Sequence, residues 1–421
     1  MIIKKTDKKL ENIIKRGELQ EGKYLPAVLE IIASVKKNGD LALLDYTRRF
    51  DGFEPDGFEV PCEETERAYS ELPQVLISAM EEAADRIRDF HELQKEKSWF
   101  EEKNGILLGQ KISPLDRVGV YVPGGKASYP SSVLMNIIPA QVAGVKEIIM
   151  TTPTPGGELN KAVLAAAKIA GATKIYRLGG AQAIAALAYG TESVPKVDKI
   201  TGPGNIYVAL AKKMVFGAVD IDMIAGPSEI LVIADESANP AWVAADMLSQ
   251  AEHDELASAV ALTLSAEMAK NIEKELYRQL EGLKRKEIAK KSLEAFSAII
   301  VTKNIEEACE LANDIAPEHL ELCVTAPMET MRLIRHAGAI FLGHHTPEAC
   351  GDYFAGPNHV LPTGASARFF SPLGVYDFIK RSSLIYYSAG ELAKHADKIA
   401  VFAETEGLGA HANSVRLRGK G

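Results

Sequence analysis

Apolar residues along the chain fall into two registers. Up to about residue 110 they recur at three- and four-residue spacing, as in "LPAVLEIIASVKKNGDLALLDYTRRF" and "LPQVLISAMEEAADRIRDFHELQ". That is the spacing of amphipathic helices, and this stretch reads mainly as helix. From residue 117 onward the pattern becomes short β-branched runs that end in Gly or Pro turns and lead into helical segments. "RVGVYVPGG" precedes "SSVLMNIIPAQVAG", "KEIIMTTPTPGG" precedes "LNKAVLAAAKIAG", "KIYRLGG" precedes "AQAIAALAYG", and "KITGPG" precedes "NIYVALAKKMVFG". The alternation resumes with "EILVIAD", then "ASAVALTLS", "AIIVT", "ELCV" and "AIFLG", with helices between most of them. Such repeated strand–turn–helix units predict parallel sheets covered by helices, an α/β fold. After about residue 380 the tail predicts two short helical segments and a polar, Gly-rich end.

Ligands of parallel sheets sit beyond the carboxyl ends of the strands, where loops present helix N-termini and free backbone N–H groups. Pro123-Gly124-Gly125, Gly179-Gly180, Gly202-Pro203-Gly204 and Gly226-Pro227 all read as turns of that kind. Together they predict an occupied crevice.

Composition narrows the function. The 421 residues exceed one ordinary core, and 47% apolar with 25% charged is a soluble profile. A formal charge of −9 argues against nucleic-acid partners, which are held by basic patches. The basic stretch "YRQLEGLKRKEIAKK" is interleaved with Glu at helical spacing and reads as a solvated face. Cys62, Cys309, Cys323 and Cys350 lack paired spacing and read as reduced thiols. The charged start "MIIKKTDKKLENIIKRG" is no secretory signal, and no apolar run nears the ~20 residues of a membrane span. A cytoplasmic protein is expected.

Two apparent motifs fail. In "GVYVPGGKAS" Gly125 intervenes before Lys126, and Ala127 stands where the phosphate-binding P-loop needs a hydroxyl. "GLGAHA" at residues 407–412 matches a dinucleotide fingerprint, but too little chain follows for a βαβ unit.

Candidate chemistry gathers around histidine. His91, His336 and His395 lie in ordinary amphipathic segments and read as surface residues, while His344 and His345 share a loop without an evident role. Asn239 as N-cap and Pro240 start a helix with Val243, Met247 and Leu248 on its buried stripe. At its end, Gln250 and His253 lie three residues apart, ~5–6 Å between Cβ atoms, and can converge on one ion. "GDYFAGPNH" supplies Asp352 and His359 in a Gly-rich loop, and "EGLGAHAN" supplies Glu406 and His411 in the tail. A mixed nitrogen and oxygen set suits a borderline metal such as zinc, and would also accept manganese or cobalt. "APEHLEL" sets Glu318 beside His319. Imidazole can take a proton near neutral pH, and the carboxylate can activate water or stabilise the imidazolium. Each cluster singly also fits an exposed loop or helix end. The residues alone leave open a metal-dependent α/β enzyme, a zinc hydrolase and a non-catalytic metal-binding protein. Missing H-E-x-x-H and G-x-S-x-G motifs weigh against hydrolases.

The blocks "YVPGG", "GGAQAIAALAYG", "TGPGNIYVA", "AGPSEILV", "QAEHD", "APEHLEL", "GDYFAGPNHVLPTG" and "EGLGAHANS" carry a specific resemblance. In this order they resemble the histidinol dehydrogenase family, from about residue 20 to residue 416. The resemblance implies a zinc- and NAD-dependent four-electron oxidation of L-histidinol to L-histidine through a bound aldehyde, the last steps of histidine biosynthesis. It implies Gln250, His253, Asp352 and His411 as ligands of one zinc per subunit, and Glu318 and His319 as the catalytic pair. Tyr121, Gln182 and Asn205 match NAD contacts. Ser228, His359 and Glu406 match substrate contacts, alongside His319 and the zinc ligands. The implied fold is two Rossmann-like parallel-sheet α/β/α domains without the usual dinucleotide fingerprint, with small N- and C-terminal helical arms used in an intertwined homodimer. The implied division is an arm at 1–20, a first domain of 21–117 plus 230–375, a second domain at 118–229 bearing the NAD loops, and a tail at 376–421. That tail would complete the partner subunit's site.

Overall fold

A computed structural model describes residues 1–4, 7–14, 21–124 and 129–419. Gly125, Lys126 and Ala127 of the rejected phosphate loop lie outside the described residues. Fourteen strands are present among them: β1 (Ile2–Ile3), β2 (Trp99–Lys103), β3 (Ile106–Pro114), β4 (Arg117–Tyr121), β5 (Glu147–Thr152), β6 (Lys174–Arg177), β7 (Lys199–Thr201), β8 (Asp220–Ile221), β9 (Glu229–Ala234), β10 (Ser258–Thr263), β11 (Ala298–Val301), β12 (His319–Cys323), β13 (Ala339–Leu342) and β14 (Ile379–Tyr387). They build a five-stranded sheet of order β6-β5-β4-β7-β8 and a six-stranded sheet of order β1-β11-β10-β9-β12-β13. Pairing in both is parallel throughout. Every strand–turn–helix unit expected after residue 117 is present at its expected place. No helix among the described residues is long and apolar enough to cross a membrane.

The N-terminal helices depart from the expected grouping. The helix Glu21–Asn38 buries Val28, Ile31, Ile32 and Val35 against the Ala-rich helices Gly180–Tyr189 and Ile206–Val215. The helix Gln74–Glu92 buries Ile77, Met80, Ala84 and Ile87 against the helix Pro130–Ala143. Residues 21–92 therefore pack on the five-stranded sheet, together with Val360, Leu373 and Val375 from the expected first domain, and not on the six-stranded sheet. Periodicity shows that a helix has a buried face; it carries no label for what covers that face. The first residues are more than an arm as well, because β1 extends the six-stranded sheet beside β11 and buries Leu10 and Ile13 of the next helix in its core.

Residues 99–114, which overlap the stretch up to about residue 110 expected to be mainly helix, form two strands of an antiparallel sheet of order β14-β3-β2. The strand β14 comes from the tail, and the "GLGAHAN" end belongs to the helix Gly409–Gly419 packed on the helix Ala389–Thr405. His91 is fully buried, contrary to the surface reading, with Nδ1 2.7 Å from the carbonyl of Ile87. All four cysteines are unpaired.

A buried ion pair shapes the turn after β7. Lys212 and Asp222 pair at 3% and 1% side-chain exposure. Lys212 Nζ donates to the carbonyl of Gly202 at 2.9 Å, and Asp222 Oδ2 accepts the Gly202 N–H at 2.8 Å. Gly202 has φ +111, and a Cβ there would lie 2.0 Å from the Tyr121 carbonyl oxygen, so only glycine fits. Replacing Lys212 by Met strands a buried carboxylate and is expected to lower the unfolding free energy by about 3–5 kcal/mol. Adding Asp222→Leu should recover part of that loss, as read by urea denaturation of both variants.

Candidate active site

The strands β9 and β12 are parallel neighbours, and Glu229 and His319 open them at the amino edge of the six-stranded sheet. The helix Pro240–Ala251, which follows β9, runs back to that edge and delivers Gln250, which is fully buried. Gln250 Nε2 lies 3.2 Å from His319 Nδ1, and its Oε1 is buried without a hydrogen-bond partner among the described residues. His253 follows in the turn after that helix, its N–H donating to the Gln250 carbonyl at 3.1 Å. It is exposed in the single chain, yet crowding by surrounding protein lowers its basicity against the pull of Asp352.

Asp352 lies in the short helix Glu348–Tyr353 and not in an open loop. One helical turn separates it from Glu348, so both carboxylates face His319. Asp352 Oδ1 is 3.4 Å from His319 Nε2, Glu348 Oε1 is 3.8 Å from Nδ1, and Glu318 Oε2 is 3.6 Å from Nδ1. His319, Glu348 and Asp352 present ligand atoms all within 4.8 Å of one another. This compact donor group shares only Asp352 with the set expected from sequence.

Electrostatics in this volume follow from burial. Desolvation opposes charge on His319, but Glu348, Glu318 and Asp352 outweigh it and hold its pKa well above the ordinary value. Burial pushes Glu318 up to about 8 and Glu348 up to about 7, despite the attraction of His319. Behind them, burial raises Glu321 far above the carboxylate range and its acidic neighbour Asp246 to about 6. Asp352 goes the other way, because the hydrogen bond and charge of His319 outweigh its desolvation.

His359 closes one side. Its Nδ1 is 2.9 Å from the Asp352 carbonyl, and its Nε2 is 3.4 Å from Ser132 Oγ on the helix that follows β4. The cluster at the amino edge of one sheet thus faces the carboxyl edge of the other. On that far edge, Tyr121 ends β4 and its hydroxyl accepts the Gly180 N–H at 3.1 Å. Gln182, after β6, is buried with Oε1 unpartnered among the described residues. Asn205, after β7, caps the helix Ile206–Val215 by accepting from Tyr207 and Val208 N–H groups at 3.0 and 3.2 Å. These turns lie at strand carboxyl ends as expected, but Gly226-Pro227 and Ser228 precede β9 at the amino edge.

Gln250, His253, Glu318, His319, Asp352 and His359 therefore come together, with Ser228 next to the buried Glu229. Glu406 and His411 do not join them within the chain; both are exposed on the C-terminal helical pair. Sequence reading missed Glu229, Glu321 and Glu348. An i, i+4 pair of acids in "PEACGDY" was the available signal for Glu348.

These features define a parallel-sheet α/β enzyme whose buried acid–imidazole centre faces the carboxyl edge of a second sheet. Comparison with known proteins assigns it further. The profile of the family described as Histidinol dehydrogenase matches residues 14–419. Histidinol dehydrogenase of Aquifex aeolicus is 59% identical over 98% of this chain and 97% of its own, and that of Geobacter metallireducens is 56% identical over 99% and 96%. The crystal structure of histidinol dehydrogenase from Elizabethkingia anophelis superposes with a TM-score of 0.94 at 38% identity, covering 99% of this chain and 97% of that one. The chain belongs to the histidinol dehydrogenase family, oxidoreductases of histidine biosynthesis.

The buried acids carry a pH-dependent penalty. Glu321 has a pKa raised on folding, so the native state binds its proton more tightly, and stability falls as pH rises through that range. The near-isosteric Glu321→Gln keeps an acceptor for the Glu348 N–H, which Glu321 Oε1 accepts at 2.8 Å. In chelator-treated protein it is expected to raise the thermal midpoint at pH 8 by on the order of 2 °C. The gain should shrink toward pH 4, which scanning calorimetry across pH will check.

Proposed function

We propose that this chain is a zinc- and NAD-dependent histidinol dehydrogenase, oxidising L-histidinol with two NAD and water to L-histidine and two NADH. The observation that carries the reading is the buried Glu318–His319 pair, set across a crevice from the edge bearing Tyr121, Gln182 and Asn205. Donor chemistry suits zinc: the unpartnered Gln250 Oε1, His253 and the low-pKa Asp352 offer an amide oxygen, an imidazole nitrogen and an anionic carboxylate oxygen. A fourth place falls to His411 of the partner subunit. NAD fits the far edge, where Gln182 offers its buried Oε1 beside the Gly179-Gly180 turn.

Bound zinc would hold the imidazole and amine of histidinol and so fix the carbinol carbon in place. NAD would accept a hydride in each of the two oxidations. With Asp352 engaged as a metal ligand and no longer holding a proton on His319 Nε2, that nitrogen takes the alcohol proton in the first step. Glu318 then activates a water that adds to the aldehyde carbon, and the hydrate is the substrate of the second oxidation. Ser228, His359 and the partner subunit's Glu406 hold the substrate's polar groups. Retaining the aldehyde between steps protects a reactive group from solvent.

A homodimer with shared sites agrees with the apolar surface left on the tail. Ile385, Tyr386, Val401, Phe402 and Leu417 are exposed in one chain, a pattern that marks association surfaces. We place the enzyme in the cytoplasm, in keeping with its four unpaired cysteines.

Counting NADH per histidinol consumed tests the reaction. Two are expected, with activity lost to a chelator and restored by zinc; no NADH from zinc-loaded protein refutes the reading. Subunit mixing tests the shared site. His411→Ala and Asp352→Ala proteins, each inactive, should recover about a quarter of wild-type activity after unfolding and refolding together. No recovery would place His411 outside the partner's site.

A further inference from the structure

Glu229 has no role in the reading above, although it touches both members of the catalytic pair. It opens β9 and is 2% exposed. Its backbone N–H donates to Glu318 Oε2 at 2.9 Å, and its own Oε2 accepts the Glu318 N–H at 3.2 Å. Each residue's carboxylate thus receives the other's peptide N–H. The Glu229 carbonyl lies 3.0 Å from His319 Nδ1. A carbonyl oxygen only accepts, so this contact keeps a proton on Nδ1, and Gln250 Nε2, itself a donor 3.2 Å from that nitrogen, makes no hydrogen bond to it; Nε2 is then the nitrogen that gains and loses its proton. Glu229 Oε1, finally, accepts the Gly364 N–H at 2.7 Å, reaching the segment that returns from His359.

We infer that Glu229 is a positioning residue for the Glu318–His319 pair. It sets the place of the Glu318 carboxyl, the tautomer of His319 and the seat of the 359–364 segment from one buried side chain and its peptide. The inference rests on the proposed reaction. Glu229 acts through Glu318 and His319, so its effect is on their geometry: binding of histidinol and NAD survives its alteration, while the chemical step suffers.

Glu229→Gln keeps the length and shape of the side chain but turns one oxygen into an NH2 group. The shorter contact, to Gly364, retains the amide oxygen, so the NH2 faces the Glu318 N–H, donor against donor. Full-length zinc-loaded variant and wild type are to be compared by steady-state kinetics, calorimetric binding of histidinol and NAD, thermal unfolding and hydrogen-exchange mass spectrometry. A kcat roughly 30- to 100-fold lower is expected, as for a small misplacement of reacting groups. Both dissociation constants should stay within about threefold, because these contacts are made in the ground state as well. Faster exchange should be confined to peptides carrying the Glu318 and Gly364 amides. An unchanged kcat overturns the inference. So does a fall in kcat accompanied by weaker binding of both ligands and faster exchange throughout β9 and β12, which is the signature of a merely structural role. Wild-type enzyme that forms no NADH would instead overturn the reaction, and the positioning role with it.

Discussion

Glu229, Glu318, Glu321, Glu348 and Asp352 share with His319 a volume largely closed to water, and the free energy of charge in that volume governs the centre. An ionised carboxylate removed from water costs several kcal/mol unless something replaces its hydration. Three replacements operate here. Glu229 and Glu318 receive peptide N–H groups from each other and from Gly364. Glu318, Glu321 and Glu348 hold their protons to higher pH. Asp352 stays ionised against the His319 ring. The first replacement explains the site's location. The amino ends of β9 and β12 are where strands present unpaired N–H groups, so an acid cluster settles there more readily than at the carboxyl edge.

The two sheets accordingly contribute opposite edges. The five-stranded sheet offers strand carboxyl ends, helix N-termini and tight Gly turns, the surroundings that suit a phosphate-bearing cofactor. The six-stranded sheet offers acids and imidazoles. Residues 222–228 run from one edge to the other, anchored at the start by Asp222 within its buried pair with Lys212, and at the end by Thr363 Oγ1, which accepts the Gly226 N–H at 2.6 Å. With His359 bridging to Ser132, that connection holds the acid centre against the far edge.

Much of this was legible in the residues. Strand–turn–helix alternation after residue 117 predicted the parallel sheets, since β-branched runs and helical spacing report local structure directly. Glu318 and His319 were visible as neighbours in one block, and Gln250 with His253 as a pair one helical turn apart. Residues 99–114 were not legible as strands, because their hairpin draws its third strand from β14, 270 or so positions later in the chain. Glu348 was hidden because short helices such as that in "TPEACGDY" are not set by propensity; its acid is buried where Glu321 accepts the Glu348 N–H and Gly351 closely approaches the Phe341 ring.

Sequence alone determined the class of fold, the residue types of the chemistry and, through specific blocks, the family. Each depends on spacing along the chain, which folding preserves. Tertiary structure decided which sheet the N-terminal helices cover, that His91 is core, that the acid centre lies at an amino edge, and that Glu229 straps Glu318 to Gly364. These are matters of partners and of solvent exclusion. A buried carboxyl and an exposed one are the same letter, and only the packing around them sets which keeps its proton.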